Sequence, residues 1–134
     1  MRFKNLLLAS LAVLAFISCS KKSDDKIEKT VSIEGTWVGK YSVLSEPYND
    51  YYSFRIKAGG ILELLDATNK VTGSGTWAIE NGNLFSGTYT LPAPDSKKIS
   101  VLATFKKDTG DLDGTWGPDD NDYTGGYWYM KKVK

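Results

Sequence analysis

Gly35-Thr36-Trp37-Val38-Gly39-Lys40-Tyr41 decides the reading of the chain. Trp37, Gly39 and Tyr41 fall on one face of an extended strand, and Thr36, Val38 and Lys40 on the other. A period of two residues is the mark of a half-buried β-strand. The opening triplet returns as Gly75-Thr76-Trp77 and Gly114-Thr115-Trp116, with Gly87-Thr88-Tyr89 as a close variant. Three copies are too few for a propeller, and they are read as every third strand of one meander.

Outward from this stretch the same alternation recurs, broken by Gly, Asn, Asp and Pro clusters. From Glu34 onward no window has a convincing period of 3.6 residues. Strands are expected over 35–44, 51–57, 61–65, 71–80, 84–91, 98–106, 111–117 and 123–131. Asn81-Gly82 is the strongest hairpin signal. A two-residue turn there would leave Phe85 and Tyr89 facing out. A three-residue loop over 81–83 pairs Ile79 with Phe85 and Trp77 with Gly87, and burial favours it. Glu63 facing outward places Leu62 and Leu64 inside. The facing of the last strand stays open, because Tyr127, Trp128 and Tyr129 put aromatics on both parities.

Eight hairpin-linked strands are the number that closes into a small barrel and removes exposed sheet edges. The expected fold is therefore all-β: an eight-stranded antiparallel up-and-down barrel following an N-terminal lipoprotein signal peptide. Inward glycines are expected to let strands coil sharply and to leave room for a neighbouring ring.

The N-terminus supports that leader. Arg2 and Lys4 precede an apolar run over 6–17 that is too short for a bilayer span and has signal-peptide flanks. The expected organisation is a signal peptide over 1–18, a lipidated polar tether over 19–32, and the barrel domain over 33–134. Phe16-Ile17-Ser18-Cys19 resembles the lipoprotein box of bacteria. The resemblance implies cleavage before Cys19 and acylation of its thiol with palmitate-like chains, two or three of which anchor durably. The partner so implied is a lipid bilayer, and the place an outer membrane, surface-exposed or facing the periplasm. Ser20-Lys21-Lys22-Ser23-Asp24-Asp25 resembles the export tag of surface-displayed lipoproteins, and reads equally as a solvated tether.

Composition removes several kinds of chemistry. There is no histidine, and Cys19 is the one cysteine. Imidazole-based triads, zinc sites of His or Cys, and thiol nucleophiles are thereby excluded. Removing 1–18 changes 17 basic and 16 acidic side chains to 15 against 16, a balance that gives no field for nucleic acid. No cofactor or metal is expected. The two acidic stretches Asp108 to Gly114 and Asp119 to Asp122 offer hard oxygens without the spacing of a calcium loop. Paired carboxylates are the remaining route to catalysis, but the inward-facing set contains none, so the chain is not expected to be an enzyme.

The pattern resembles the calycin group, the small lipocalin-like and avidin-like barrels. The resemblance rests on Gly35-Thr36-Trp37 opening the first strand, followed by about eight strands. It implies that Trp37 seals a closed end beneath a late basic side chain, for which Lys131 and Lys132 are the candidates.

Loop lengths select the working end. The longer loops, 45–50, 66–70, 92–96 and 118–122, share one rim; tight turns at 58–60, 81–83 and 107–110 close the other, where both termini also fall. Longer loops usually carry function. Tyr41, Tyr48, Tyr52, Tyr89 and Trp116 are expected to line the throat as ligand-binding residues, with Trp37 and Trp77 structural and nearer the closed end. The rim reads as acidic, with Glu46, Asp50, Asp66, Asp95, Asp119, Asp120 and Asp122 against Lys70. The expected function is binding of a small apolar or amphipathic ligand, or a sugar, at that mouth. The alternative is a barrel without a cavity that acts on an extracellular protein, as an inhibitor or accessory subunit.

Overall fold

The structure is a computed structural model describing residues 30–134. Residues 1–29, on which the expected signal peptide, Cys19 and nearly all of the expected tether fall, lie outside the described residues.

At Asn81-Gly82-Asn83 both Asn81 (φ 52°) and Gly82 (φ 75°) are left-handed. That backbone reverses the chain without splaying its flanking strands. The strands joined there pair Ile79 with Phe85 and Trp77 with Gly87, the register that the buried face requires. Seven such connections link β1 (Gly35–Tyr41), β2 (Asp50–Lys57), β3 (Ile61–Leu65), β4 (Val71–Glu80), β5 (Leu84–Thr90), β6 (Lys98–Lys106), β7 (Asp111–Pro118) and β8 (Gly126–Lys132). Each strand pairs antiparallel with its sequence neighbour, and β8 pairs back onto β1, so the barrel is closed. Among the described residues there is no helix.

Trp37, Phe54 and Phe85 are fully buried and Phe105 is 6% exposed, all within one core. Trp37 meets Phe105 edge-on at 6.0 Å. The facing of β8 is settled by closure: Trp128 and Met130 point inward and are fully buried, while Tyr127 and Tyr129 are exposed. Trp128 lies edge-on to Phe54 at 5.4 Å, to Tyr52 at 5.8 Å and to Phe85 at 6.4 Å. Its indole N–H donates to the Thr115 carbonyl at 2.9 Å, which satisfies the one polar atom the ring takes inside. Leu62 is buried, while Glu63 faces out and pairs with Arg55 at 3.5 Å.

Two strand ends differ from expectation by more than one residue. β1 stops at Tyr41 instead of running to Leu44; the Ser42 and Leu44 N–H groups still donate to the Tyr127 and Gly125 carbonyls before the chain turns at the left-handed Leu44 (φ 55°). β8 starts at Gly126 instead of Tyr123. The chain before it folds back on the outer wall, with the Asp119 N–H donating to the Lys98 carbonyl and the Ser100 hydroxyl to the Asp119 carbonyl. Ser100 points outward yet is fully buried, because this loop covers it.

Three of the strand glycines make room for backbone rather than for rings. A Cβ at Gly39, Gly75 or Gly114 would overlap the carbonyl of Tyr129, Thr88 or Leu102 on the neighbouring strand. At Gly87 the space goes to the Leu62 and Val101 side chains instead.

The closed pole is sealed by the segment before β1. Val31 N–H donates to the Lys107 carbonyl, and the Trp37 indole donates to Ile33 at 2.8 Å. Trp37 and Lys132 are register partners across β1 and β8, and the Lys132 ammonium donates to the Ser32 carbonyl at 2.9 Å. Lys131 points outward and pairs with Asp111 at 2.6 Å. Trp77 also lies toward this pole: its indole N–H donates to the Lys57 carbonyl at 2.8 Å and its ring stacks with Phe85 at 6.2 Å. The described N-terminal segment and the end of β8 thus share the short-turn pole, opposite the long loops.

Candidate functional site

The core fills only part of the barrel. Toward the long loops the inward positions give way to a cavity of about 920 Å³. Alternation fixes which side chains face it: Tyr41 from β1, Tyr52 from β2, Leu64 from β3, Tyr89 from β5, Ile99 from β6 and Trp116 from β7. Val43 and Leu91 extend the wall beyond the strand ends, and Pro118 adds to it as the last residue of β7. The lining is mainly apolar and aromatic, the usual composition of a small-molecule site.

Tyr52 and Tyr89 form the floor. Each is 5% exposed, and their hydroxyls are 2.7 Å apart. Beneath them Phe54 contacts both rings, at 4.9 Å and 5.8 Å. Burial pushes the Tyr52 phenol well above its ordinary range, and the charge and hydrogen bond of Tyr89 add to this. Burial likewise raises Tyr89, against a smaller opposing effect of its bond to Tyr52. Both are neutral hydroxyls at any physiological pH.

Tyr41 and Trp116 form one wall. Tyr41 lies edge-on to Tyr52 at 5.0 Å and to Trp116 at 5.7 Å. The Trp116 indole N–H donates to the Ser42 carbonyl at 2.8 Å, which ties β7 to the end of β1 across β8. Gly125 lies against the ring, where a Cβ would come within 2.8 Å of it. The Tyr41 phenol is raised by burial first and by the Asp50 carboxylate second.

Of the five residues expected in the throat, Tyr41, Tyr52, Tyr89 and Trp116 come together around the cavity. Tyr48 does not line it. It packs edge-on against Tyr129 at 5.1 Å on the outer surface. The left-handed turn at Leu44 starts the loop that carries it there.

The rim is less acidic than the loop sequences imply. Lys97 lines the cavity, and Lys98 holds Asp120 at 3.2 Å. Several rim acids are spent on their own loops. One Asp66 oxygen accepts from the Thr68 hydroxyl at 2.6 Å, the Thr68 N–H at 2.8 Å and the Lys70 N–H at 3.0 Å. Those bonds lower its pKa, the hydroxyl most. Asp122 caps Thr124 in the same way and is lowered for the same reason. Asp66 and Lys97 are the only lining residues, among the described ones, that carry a charge at neutral pH. Among the described residues no group of three or more acidic, Cys or His side chains is placed to hold a metal ion.

Sequence reasoning passed over Lys97 and Trp128. Lys97 had a signal: it ends the loop after Pro94, on the rim that the loop lengths had selected. Trp128 had none, because its neighbours are tyrosines on both sides.

Fold and site together define a closed eight-stranded antiparallel barrel, plugged at one pole and hollow at the other. A scan against profiles of known families, a search of curated proteins and a search of solved structures return no match to the chain.

Proposed function

We propose that this protein is a lipid-anchored, lipocalin-like barrel that binds a small apolar or amphipathic ligand in the cup at its long-loop end. The observation that carries the reading is the cavity of about 920 Å³, walled by Leu64, Ile99, Tyr41 and Trp116. Apolar area removed from water supplies the affinity, at about 25 cal/mol per Å² before the costs of association. A sugar is the poorer fit, because few free polar groups face the cup. Anchorage through Cys19 enters at the plugged pole, so the mouth opens away from the membrane.

Diphenylhexatriene, a fluorescent hydrocarbon, tests the cup directly. It is expected to gain fluorescence on binding the full-length protein. Trp116→Ala should weaken that binding about tenfold, and Ile99→Trp should block it by filling the space. Lys107→Ala, at the closed pole, should leave it unchanged. Equal binding by all four proteins would place the dye outside the cup and sink the proposal.

The second reading, action on an extracellular protein, finds its support on the outer wall. Tyr48, Tyr51, Tyr127 and Tyr129 are exposed there, and Lys40 pairs in register with both Tyr51 and Tyr129. Aromatic side chains of this kind are enriched at interfaces.

A further inference from the structure

The floor of the cup has a hydrogen-bonding capacity that the protein itself does not use up. A tyrosine hydroxyl carries one proton and accepts through its lone pairs. In the Tyr52–Tyr89 pair one hydroxyl donates to the other at 2.7 Å. The accepting hydroxyl keeps its own proton, and among the described residues it has no protein acceptor to give it to. Both residues face the cavity, so the free direction is upward into the cup.

Charge is absent at this depth. Asp66 and Lys97, the two charged lining residues, sit on the long loops at the rim. A carboxylate or ammonium pressed against the floor would lose its hydration without meeting an opposite charge, which is strongly unfavourable. A neutral oxygen loses far less, and the floor returns one hydrogen bond to it. A purely hydrocarbon end would leave the spare O–H dry and unbonded, which is also unfavourable.

We infer that the Tyr52–Tyr89 hydroxyl pair selects ligands whose buried end carries an uncharged oxygen acceptor, a ketone or alcohol, on an otherwise apolar body. The inference rests on the cup being a ligand site. The pair fixes which way round the ligand enters, and a negative group, where the ligand has one, stays at the mouth beside Lys97.

The test is competition against diphenylhexatriene by three probes of equal carbon count: a long-chain methyl ketone, the n-alkane and the n-alkanoate. Each is measured at about pH 7 on the wild-type chain and on Tyr52→Phe/Tyr89→Phe. The ratio of affinities between the two proteins is read for each probe, so the different hydrophobicities of the probes cancel. The ketone is expected to weaken about tenfold in the double variant, the worth of one hydrogen bond. The alkane is expected to bind it as well as the wild type or better. Each single variant keeps one hydroxyl whose proton can turn into the cup, so Tyr52→Phe and Tyr89→Phe should retain most of the ketone affinity. Alkane binding shows in the same experiment that the variant cup is intact.

A purely structural role for the pair would weaken all three probes by one factor, and that result overturns the inference while the cup remains a ligand site. A loss confined to the alkanoate also overturns it, since the floor would then be reading a charge. If diphenylhexatriene and every probe fail to bind the wild type, the cup itself is not a ligand site and both readings fall.

Discussion

The two poles of this barrel use the same ladder of strands and differ in what fills it. At the plugged pole Trp37, Phe105, Leu112 and Met130 close the interior, and the segment through Val31 and Ile33 is laid across the end. At the open pole the inward positions hold Tyr41, Ile99 and Trp116 on three of those strands and Leu64 on β3, and space remains between them. Trp128 and Phe54 mark the boundary. The difference teaches that alternation decides which side chains point inward, but not whether they meet.

The largest expected effect breaks the comparison if it fails. Trp128→Ala removes a fully buried ring that touches Phe54, Tyr52 and Phe85. The loss should be about 3–5 kcal/mol of unfolding free energy in a denaturant titration. Ile99→Ala removes a side chain that already borders empty space, and should cost about 1 kcal/mol, because little packing is lost. Equal costs at the two sites would mean that the upper half is packed as solidly as the lower.

Much of this division was not legible in the sequence, for definite reasons. The hairpin at Asn81 to Asn83 was legible because a slip of one residue would have turned Phe85 and Tyr89 outward. Burial therefore fixed the register before any contact was known. The same logic fails on β8, where Tyr127, Trp128 and Tyr129 make either parity acceptable. Only pairing to β7 on one side and β1 on the other selects Trp128. Tyr48 was misplaced because it sits in a loop, where no period applies. The cup was inferred only as an end with longer loops. Its volume depends on how far each inward ring lies along the barrel axis, and single-strand patterns do not carry that offset. The anchorage proposed at Cys19 is the opposite case, an expectation that rests on sequence alone and falls outside the described residues.

The floor phenols sharpen the comparison through alkaline pH. Tyr52 and Tyr89 are raised by burial above the ordinary 10.0. In the unfolded chain they lose protons near pH 10, while in the folded chain they keep them. The folded state then binds more protons, so stability falls as pH rises above about 10. The loss should reach roughly 3 kcal/mol by about pH 11 for the two phenols together. Tyr52→Phe/Tyr89→Phe should remove most of that dependence, whatever its stability near neutrality. Parallel curves for the variant and the wild type would mean that water reaches the floor and that the two phenols are not held neutral by burial.

The smallest effect lies at the plugged pole, on its outer surface. The Lys131 ammonium lowers the Asp111 carboxyl, with the Thr109 hydroxyl adding to it. A depressed folded pKa gives stability that is present above the unfolded value of 3.8 and lost as pH falls through the folded value. The pair lies on the surface, with the Lys131 side chain 71% exposed, so the contribution should be under about 1 kcal/mol. Asp111→Asn should therefore be slightly less stable than the wild type at pH 6, and the gap should close as pH falls below 3.8. The rim carboxylates Asp66 and Asp122 are lowered by bonds within their own loops, and substituting either should disturb the mouth without loosening the plug. A pH-dependent gap for Asp111→Asn that is as large as the alkaline effect would show that the two poles are not electrostatically separate, because a surface pair at one end would then be governing the whole cylinder.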